Sequence, residues 1–121
     1  MLEETETTVP IISFAGNNLQ GVVRVVDGHS RMLVRSDQVN GAYALLEQGI
    51  PPGKGPPLHV HRHEIEIFYV VDGDFEFQIG SDVITGGPGT NAVCPRDIPH
   101  TFRNVNDKHC TLAAHHNPGQ V

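Results

Sequence analysis

The chain has 121 residues, with 14 acidic against 8 basic Lys and Arg side chains and a formal net charge of −6. This length suits one domain with its own core, and the acidic balance, without any long basic cluster, argues against nucleic acid as a partner. No apolar run approaches the roughly 18 residues of a membrane span, and the acidic N-terminus is unlike a signal peptide. We therefore predict a cytoplasmic protein that binds no membrane.

Short apolar runs separated by turn residues dominate the chain from Val9 onward. Residues 1–8 are acidic and rich in Thr, without an apolar period, and predict a flexible N-terminal leader. Beyond them, 13 glycines and 9 prolines are scattered among the apolar runs, and no window shows a helical period. This pattern predicts one all-β domain over residues 9–121, with about ten short antiparallel strands in a sandwich or small barrel.

One later run alternates clearly. Phe75, Phe77 and Ile79 share one face of a predicted strand, and polar residues occupy the other face. Cys94 and Cys110 fall in two further predicted strands, and we expect both to be reduced and buried, because a cytoplasmic chain of this size needs no disulfide.

A first histidine-rich stretch carries potential ligands for a metal ion. His59 and His61 are separated by one residue, so in a strand both side chains point to the same face and can share one ion. Residues 62–65 are expected to turn the chain before Glu66 opens an apolar strand. Burying that carboxylate unpaired would cost several kcal/mol, and a divalent cation would remove this penalty.

A second stretch adds one more histidine, His100, which follows two prolines at the start of another short strand. Imidazole and carboxylate ligands suit Fe, Mn, Ni, Co or Zn and suit calcium poorly. The sequence thus predicts one divalent transition metal bound by His59, His61, Glu66 and His100.

Other polar residues nearby are predicted to lie outside this set. Glu64 falls inside the expected turn. We interpret it as a solvated carboxylate, or as one that contacts a metal-binding side chain without binding the metal itself. His63 is expected at the rim of the site. His115 and His116 follow the last predicted strand, and solvent exposure is the favoured interpretation for both.

The two stretches resemble the two motifs of the cupin superfamily. The first motif, G(X)5HXH(X)4E(X)6G, is matched at Gly53, His59, His61, Glu66 and Gly73. The second, G(X)5PXG(X)2H(X)3N, is matched at Gly89, Pro95, His100 and Asn104. Asp97 replaces the glycine of the second motif, and because Asp tolerates turn conformations we expect the turn to survive. The resemblance implies a double-stranded β-helix, or jelly-roll, barrel with the metal inside.

Within the superfamily, PPLHVHRHEIEIFYVVDGDFEF resembles the small single-domain cupins related to quercetin dioxygenase. That resemblance implies a dioxygenase that uses O2 on a small enolisable or aromatic substrate, flavonol-like or polyketide-like, with Glu66 as ligand and catalytic proton acceptor. The alternatives are a redox-neutral cyclase, isomerase or decarboxylase, and a non-enzymatic module that binds or senses a small molecule. We also expect a homodimer, because such barrels expose sheet edges.

Overall fold

The computed structural model describes residues 22–25 and 28–118, so the predicted leader at 1–8 and the first predicted strand lie outside the described residues. The strands of the described part are β1 (Val22–Val25), β2 (Gly28–Val34), β3 (Ala44–Ile50), β4 (Glu64–Asp72), β5 (Phe75–Ile79), β6 (Asp82–Gly86), β7 (Asn91–Cys94), β8 (His100–Asn104) and β9 (Cys110–Pro118). One turn of 3₁₀-helix, Ser36–Val39, joins β2 to β3. Within this part of the chain, no helix has the length and apolar character to cross a membrane.

The strands form two antiparallel sheets. One has six strands in the order β1-β2-β3-β9-β4-β7, and the other has three in the order β6-β5-β8. The predicted all-β, jelly-roll class is therefore confirmed.

The segment before β4 joins the two sheets by pairing with the outer edge of β8. The backbone N–H of Gly53 donates to the carbonyl of Asn104 at 3.0 Å, and that of Asn104 donates to Lys54 at 2.9 Å. Farther along, the backbones of His59 and His100 exchange two hydrogen bonds of 3.0 and 2.8 Å. These bonds fix the first histidine stretch beside the strand that carries the second.

The core fills the space between the sheets with aromatic and aliphatic side chains. Phe75 and Phe77 are buried and Ile79 packs against them, as the alternation predicts. Phe68 from β4 meets Phe102 from β8 with ring centroids 5.0 Å apart, in an edge-to-face arrangement. Because these rings come from opposite sheets, their contact in the core holds the two sheets face to face.

Two residues of the second motif hold turns in place. Asp97 adopts a φ of +67°, a left-handed conformation, and its N–H donates to the carbonyl of His61 at 2.8 Å, so the turn survives without glycine. Asn104 is fully buried, and its amide donates to the carbonyls of Ile50 and Lys108 at 2.9 and 2.8 Å. Its Oδ1 accepts from the N–H of Asn106 at 2.7 Å. Asn104 is thus a structural residue.

Candidate metal centre

Four side chains from three segments converge on one point between the sheets. Nε2 of His100, His61 and His59 lies 2.7, 3.1 and 3.7 Å, respectively, from Oε1 of Glu66. One ligand atom from each residue can be chosen so that all four lie within 4.8 Å of one another. The structure therefore brings together the four predicted ligands.

The cluster is sealed on one side and open on the other. The side chains of His100 and Glu66 are only 1% and 6% exposed, whereas those of His61 and His59 are 31% and 32% exposed. Glu66 faces inward because it shares the inward parity of β4 with buried Phe68 and Val70. An ion here would be anchored from inside the barrel and reached from the histidine side.

Backbone carbonyls orient two of the imidazoles. Nδ1 of His59 lies 2.7 Å from the carbonyl of Pro57, and Nδ1 of His100 lies 3.0 Å from that of Ile98. A carbonyl can only accept, so each Nδ1 carries the hydrogen and each Nε2 faces Glu66. This is the usual arrangement of metal-binding histidines, in which the second nitrogen is fixed by a hydrogen bond.

The contact between His100 and Glu66 tests whether the cluster fits a metal. With Nδ1–H bonded to Ile98, a neutral imidazole presents a lone pair from Nε2 toward a carboxylate oxygen only 2.7 Å away. Two such acceptors repel unless a cation, either a metal ion or a second imidazole proton, lies between them. Three imidazoles and one carboxylate are also a suitable donor set for Fe, Mn, Co, Ni or Zn. The residues present therefore fit a divalent transition metal.

His116 is the residue that sequence reasoning missed. Its Nε2 lies 3.1 Å from Oε2 of Glu66, its Nδ1 lies 3.2 Å from Oε1 of Glu64, and its side chain is 25% exposed. The prediction that it is solvent-exposed was wrong, because β9 continues through it. Alternation along the strand could have found it: Cys110, Leu112 and Ala114 on the same face are all buried.

Glu64 also differs from its predicted setting. The bend before β4 is confined to Arg62 and His63, and β4 begins at Glu64, so this carboxylate lies in a strand and not in a turn. Its Oε1 lies 3.2 Å from Nδ1 of His116 and 3.8 Å from Nδ1 of His61, and both of these imidazoles contact Glu66. His63 is exposed, as expected.

His115 has the opposite orientation from His116, since neighbouring side chains in a strand alternate. It stacks on Tyr43 with ring centroids 5.1 Å apart and is only partly exposed, so the prediction of free exposure was wrong here too. This packing leaves it on the outer face of the sheet, away from the cluster.

A cavity of about 510 Å³ opens beside the cluster. Its walls are mainly apolar and include Ile50, Pro56, Pro57, Phe68 and Phe102. Glu66, His59 and His116 also line it, so the cavity meets the candidate metal position. This size and lining are typical of small-molecule sites.

Gln48 supplies a further polar group to the cavity wall. Its Nε2 lies 3.4 Å from Oγ of Ser30, whereas its Oε1 is buried without a hydrogen-bond partner among the described residues. A buried amide oxygen without a partner is costly, and a bound molecule with a hydroxyl or N–H group could satisfy it.

Cys94 pairs with Glu66 across β7 and β4 but keeps its thiol proton. Burial, together with the negative charge of Glu66, raises the pKa of Cys94 to about 12. Both Cys94 and Cys110 are buried and free, as predicted. A thiol with so high a pKa is poorly suited to bind a metal, because the thiolate is the ligand form.

Comparison with known proteins identifies the family. Residues 46–116, more than half of the chain, match the family model for a cupin domain. The chain belongs to the cupin family. The matched region begins within β3 and ends within β9, so it contains all four predicted ligands.

Two curated proteins are similar to this cupin. Polyketide synthase CurC of Streptomyces cyaneus is 30% identical over 67 residues, which cover 55% of this chain and 44% of that protein. Protein SchB of Streptomyces halstedii is 30% identical over 69 residues, covering 57% of this chain and 50% of that one. The chain thus spans about half the length of the curated relatives that it matches.

Solved structures show the same fold. An RmlC-like cupin from Shewanella frigidimarina aligns with a TM-score of 0.75 at 18% identity, covering 93% of this chain and 94% of that chain. Ectoine synthase from P. lautus aligns with a TM-score of 0.76 at 16% identity, covering 93% and 80%. At these identities the likeness is one of fold alone.

Proposed function

We propose that this cupin is a metal-dependent enzyme that acts on a small enolisable or phenolic molecule of polyketide type. The observation that carries the proposal is the position of the His59, His61, Glu66 and His100 cluster at an apolar-walled cavity of about 510 Å³. A closed structural zinc site would not need such a cavity and is usually rich in Cys.

The metal's contribution would be that of a Lewis acid, lowering the pKa of an enol or phenol oxygen at its open position. The protein's own residues would do the rest. Phe68, Phe102 and the two prolines would hold a flat, apolar substrate and exclude water. Glu66, at the junction of cluster and cavity, would accept the hydroxyl proton of the substrate.

The polyketide class is supported by the name of one relative, polyketide synthase CurC. A polyketide chain or its cyclised product carries enolisable carbonyl groups, which suit a Lewis acid, and phenolic hydroxyl groups, which can donate to Oε1 of Gln48, an atom with no partner among the described residues. The apolar lining would accommodate the carbon skeleton between these polar ends.

For the reaction itself, we propose oxygenation of the activated substrate by O2. The sequence resemblance to quercetin-dioxygenase-like cupins and a donor set suited to redox-active Fe, Mn, Ni or Co support this choice. A redox-neutral cyclisation or isomerisation is the second candidate, and the name of CurC, a synthase and not an oxygenase, favours it.

Elemental analysis of the purified protein, followed by incubation with flavonols and enolisable polyketide-like diketones, tests these proposals. Oxygenation predicts O2 uptake at an electrode and products that, summed over all fragments, contain the added oxygen atoms. Product formation without O2 uptake would support the redox-neutral reaction. Tight ligand binding without turnover would support a binding module, and failure to bind any divalent metal would overturn both enzymatic proposals.

We also propose a homodimer, which the outer face of the six-stranded sheet supports. Tyr69, Val71 and Val93 lie on this face and are 50%, 47% and 47% exposed. Burying such residues between two copies would stabilise the pair. Elution of the protein as a monomer from a sizing column at micromolar concentration would contradict this proposal.

A further inference from the structure

We propose that His116, itself held by Glu64, is a positioning residue that fixes Glu66 as a metal ligand through one carboxylate oxygen. This inference rests on the proposed metal-dependent function and names two residues outside the four predicted ligands. It concerns the geometry of metal binding, so it can be tested without a substrate.

The strand register places His116 where it can do this. Glu66 of β4 and His116 of β9 are direct partners in the antiparallel ladder. Side chains at such positions lie about 5 Å apart at Cβ, which suits a direct hydrogen bond between long polar side chains. The resulting contact joins Nε2 of His116 to Oε2 of Glu66 at 3.1 Å.

The two oxygens of Glu66 consequently have different partners. Oε1 faces the three histidines of the cluster, with His100 nearest at 2.7 Å. Oε2 faces His116, so rotation of the carboxylate about its terminal bond would break this contact. This arrangement would favour Oε1, the oxygen that faces the three imidazoles, as the atom through which Glu66 holds an ion.

Glu64 fixes the other side of the imidazole. It lies two residues before Glu66 on β4 and therefore on the same face of the strand. Its Oε1 lies 3.2 Å from Nδ1 of His116 and 3.8 Å from Nδ1 of His61, so this carboxylate lies between His116 and one of the predicted ligands. Since Glu64 is 39% exposed, the chain of contacts runs from the rim of the site to the buried carboxylate.

His116 is not itself positioned as a ligand. The group of side chains close enough to share an ion comprises His59, His61, Glu66 and His100, and His116 lies outside it. Its ring centroid is 6.3 Å from that of His61, and it contacts Oε2 of Glu66, whereas the three histidines of the cluster contact Oε1. It therefore acts through Glu66.

Titration of the full chain with Co²⁺, followed by visible absorption, tests this arrangement. We expect His116→Leu to weaken Co²⁺ binding by about 10-fold to 100-fold, the usual effect of removing a partner of a metal ligand, and to change the spectrum. His116→Gln should stay within a few-fold of the unchanged protein, because its amide can still donate to Oε2. His115→Leu, on the opposite face of the same strand, is the matched control and should leave Co²⁺ binding unchanged.

Substitutions of Glu64 provide a second test, and because its side chain is partly exposed they leave the interior of the barrel unchanged. Glu64→Ala should weaken Co²⁺ binding, whereas Glu64→Gln, which keeps a polar partner for Nδ1 of His116, should weaken it less. In the His116→Gln protein, where Glu64 has no imidazole of His116 to contact, Glu64→Ala should have no further effect, and a further loss would show that Glu64 acts through His61. This comparison decides the question if His116→Leu does not fold, as judged by thermal unfolding of the metal-free proteins.

Three results would overturn the inference. Co²⁺ binding by His116→Leu equal to that of the control would remove any role for His116 at the metal. Equal losses for Leu and Gln at this position would indicate packing only. A complete loss in His116→Gln, like that expected for His59→Ala, would make His116 a ligand. If the unchanged protein itself binds no Co²⁺, the proposed metal-dependent function is wrong, and this result is distinct from the three above.

Discussion

Nε2 of His100 lies 2.7 Å from Oε1 of Glu66, although 34 residues separate the two along the chain. His100 begins β8 in the three-stranded sheet, and Glu66 belongs to β4 in the six-stranded sheet. A metal at this contact would therefore tie the two sheets of the barrel together, so metal binding and folding stability should be coupled.

Removal of the metal should lower the stability of the whole barrel. An ion that binds only the folded state at 100 times its dissociation constant adds about 2.7 kcal/mol to the free energy of unfolding. We expect a chelator to lower the thermal midpoint and Co²⁺ or Zn²⁺ to restore it. An identical midpoint with and without metal would argue against a site that bridges the sheets.

Single substitutions should separate the ligands from their neighbours. His59→Ala and Glu66→Ala should each lower metal content sharply, because each removes a donor atom from the cluster. His63→Ala is the control, since His63 is exposed beside the cluster. Metal content measured by elemental analysis should be unchanged in this control, and equal losses in all three variants would refute the ligand assignment.

Asn104 should be important for stability and not for metal binding. Its side chain makes three hydrogen bonds to backbone groups, and Asn104→Ala would remove all three, although the carbonyl of Lys108 would keep its contact with Sγ of Cys110 at 3.5 Å. We expect a loss of about 3 kcal/mol or more in urea unfolding, given about 1–3 kcal/mol for each buried group left unsatisfied. Asn91→Ala, at an exposed position of β7, should change the free energy by less than about 0.5 kcal/mol.

The buried cysteines should make the protein sensitive to alkaline pH. The pKa of Cys94 is raised to about 12 by burial, and that of Cys110 is raised by the same cause. Between the ordinary thiol pKa near 9 and these raised values, the unfolded chain loses protons that the folded chain keeps. Stability should therefore be intact below about pH 9 and fall above it, by about 1.4 kcal/mol per pH unit for Cys94, with Cys110 acting in the same direction.

Cys94→Ala measures the share of that slope due to one thiol. Unfolding in urea at a series of pH values should give a shallower decline for this variant than for the unchanged protein. In the native state at pH 8, both thiols should react slowly with a disulfide reagent and rapidly once denaturant is added. A slope unaffected by the substitution would show that Cys94 does not titrate on unfolding.

Gln48 should affect ligand binding more than stability. Gln48→Met keeps the side-chain length and removes a buried amide oxygen that has no partner among the described residues. It also removes the 3.4 Å contact between Nε2 of Gln48 and Oγ of Ser30. We expect the free energy of unfolding to stay within about 1 kcal/mol. The KM of a substrate found in the screen above should rise with little change in kcat, whereas a large loss of stability would make Gln48 structural.

The four predicted ligands could be found from the sequence because their signals are local. His59 and His61 share a face through a spacing of two, and Glu66 stands out as a carboxylate heading an apolar strand. His100 sits in a second motif with its own turn residues. The alternation of Phe75, Phe77 and Ile79 likewise fixed which side of β5 is buried, because the period of a strand needs no knowledge of its neighbours.

His116 and Glu64 show what the tertiary structure alone decided. Alternation along β9 puts His116 on the buried face, but it does not indicate that β9 pairs with β4, and only that register brings Nε2 of His116 to the second oxygen of Glu66. Glu64 joined the site because the bend before it is two residues shorter than expected. The alternation of side chains along a strand depends only on the local sequence. The order of the strands depends on the packing of the two sheets, and that packing placed His116 and Glu64 around the predicted ligands.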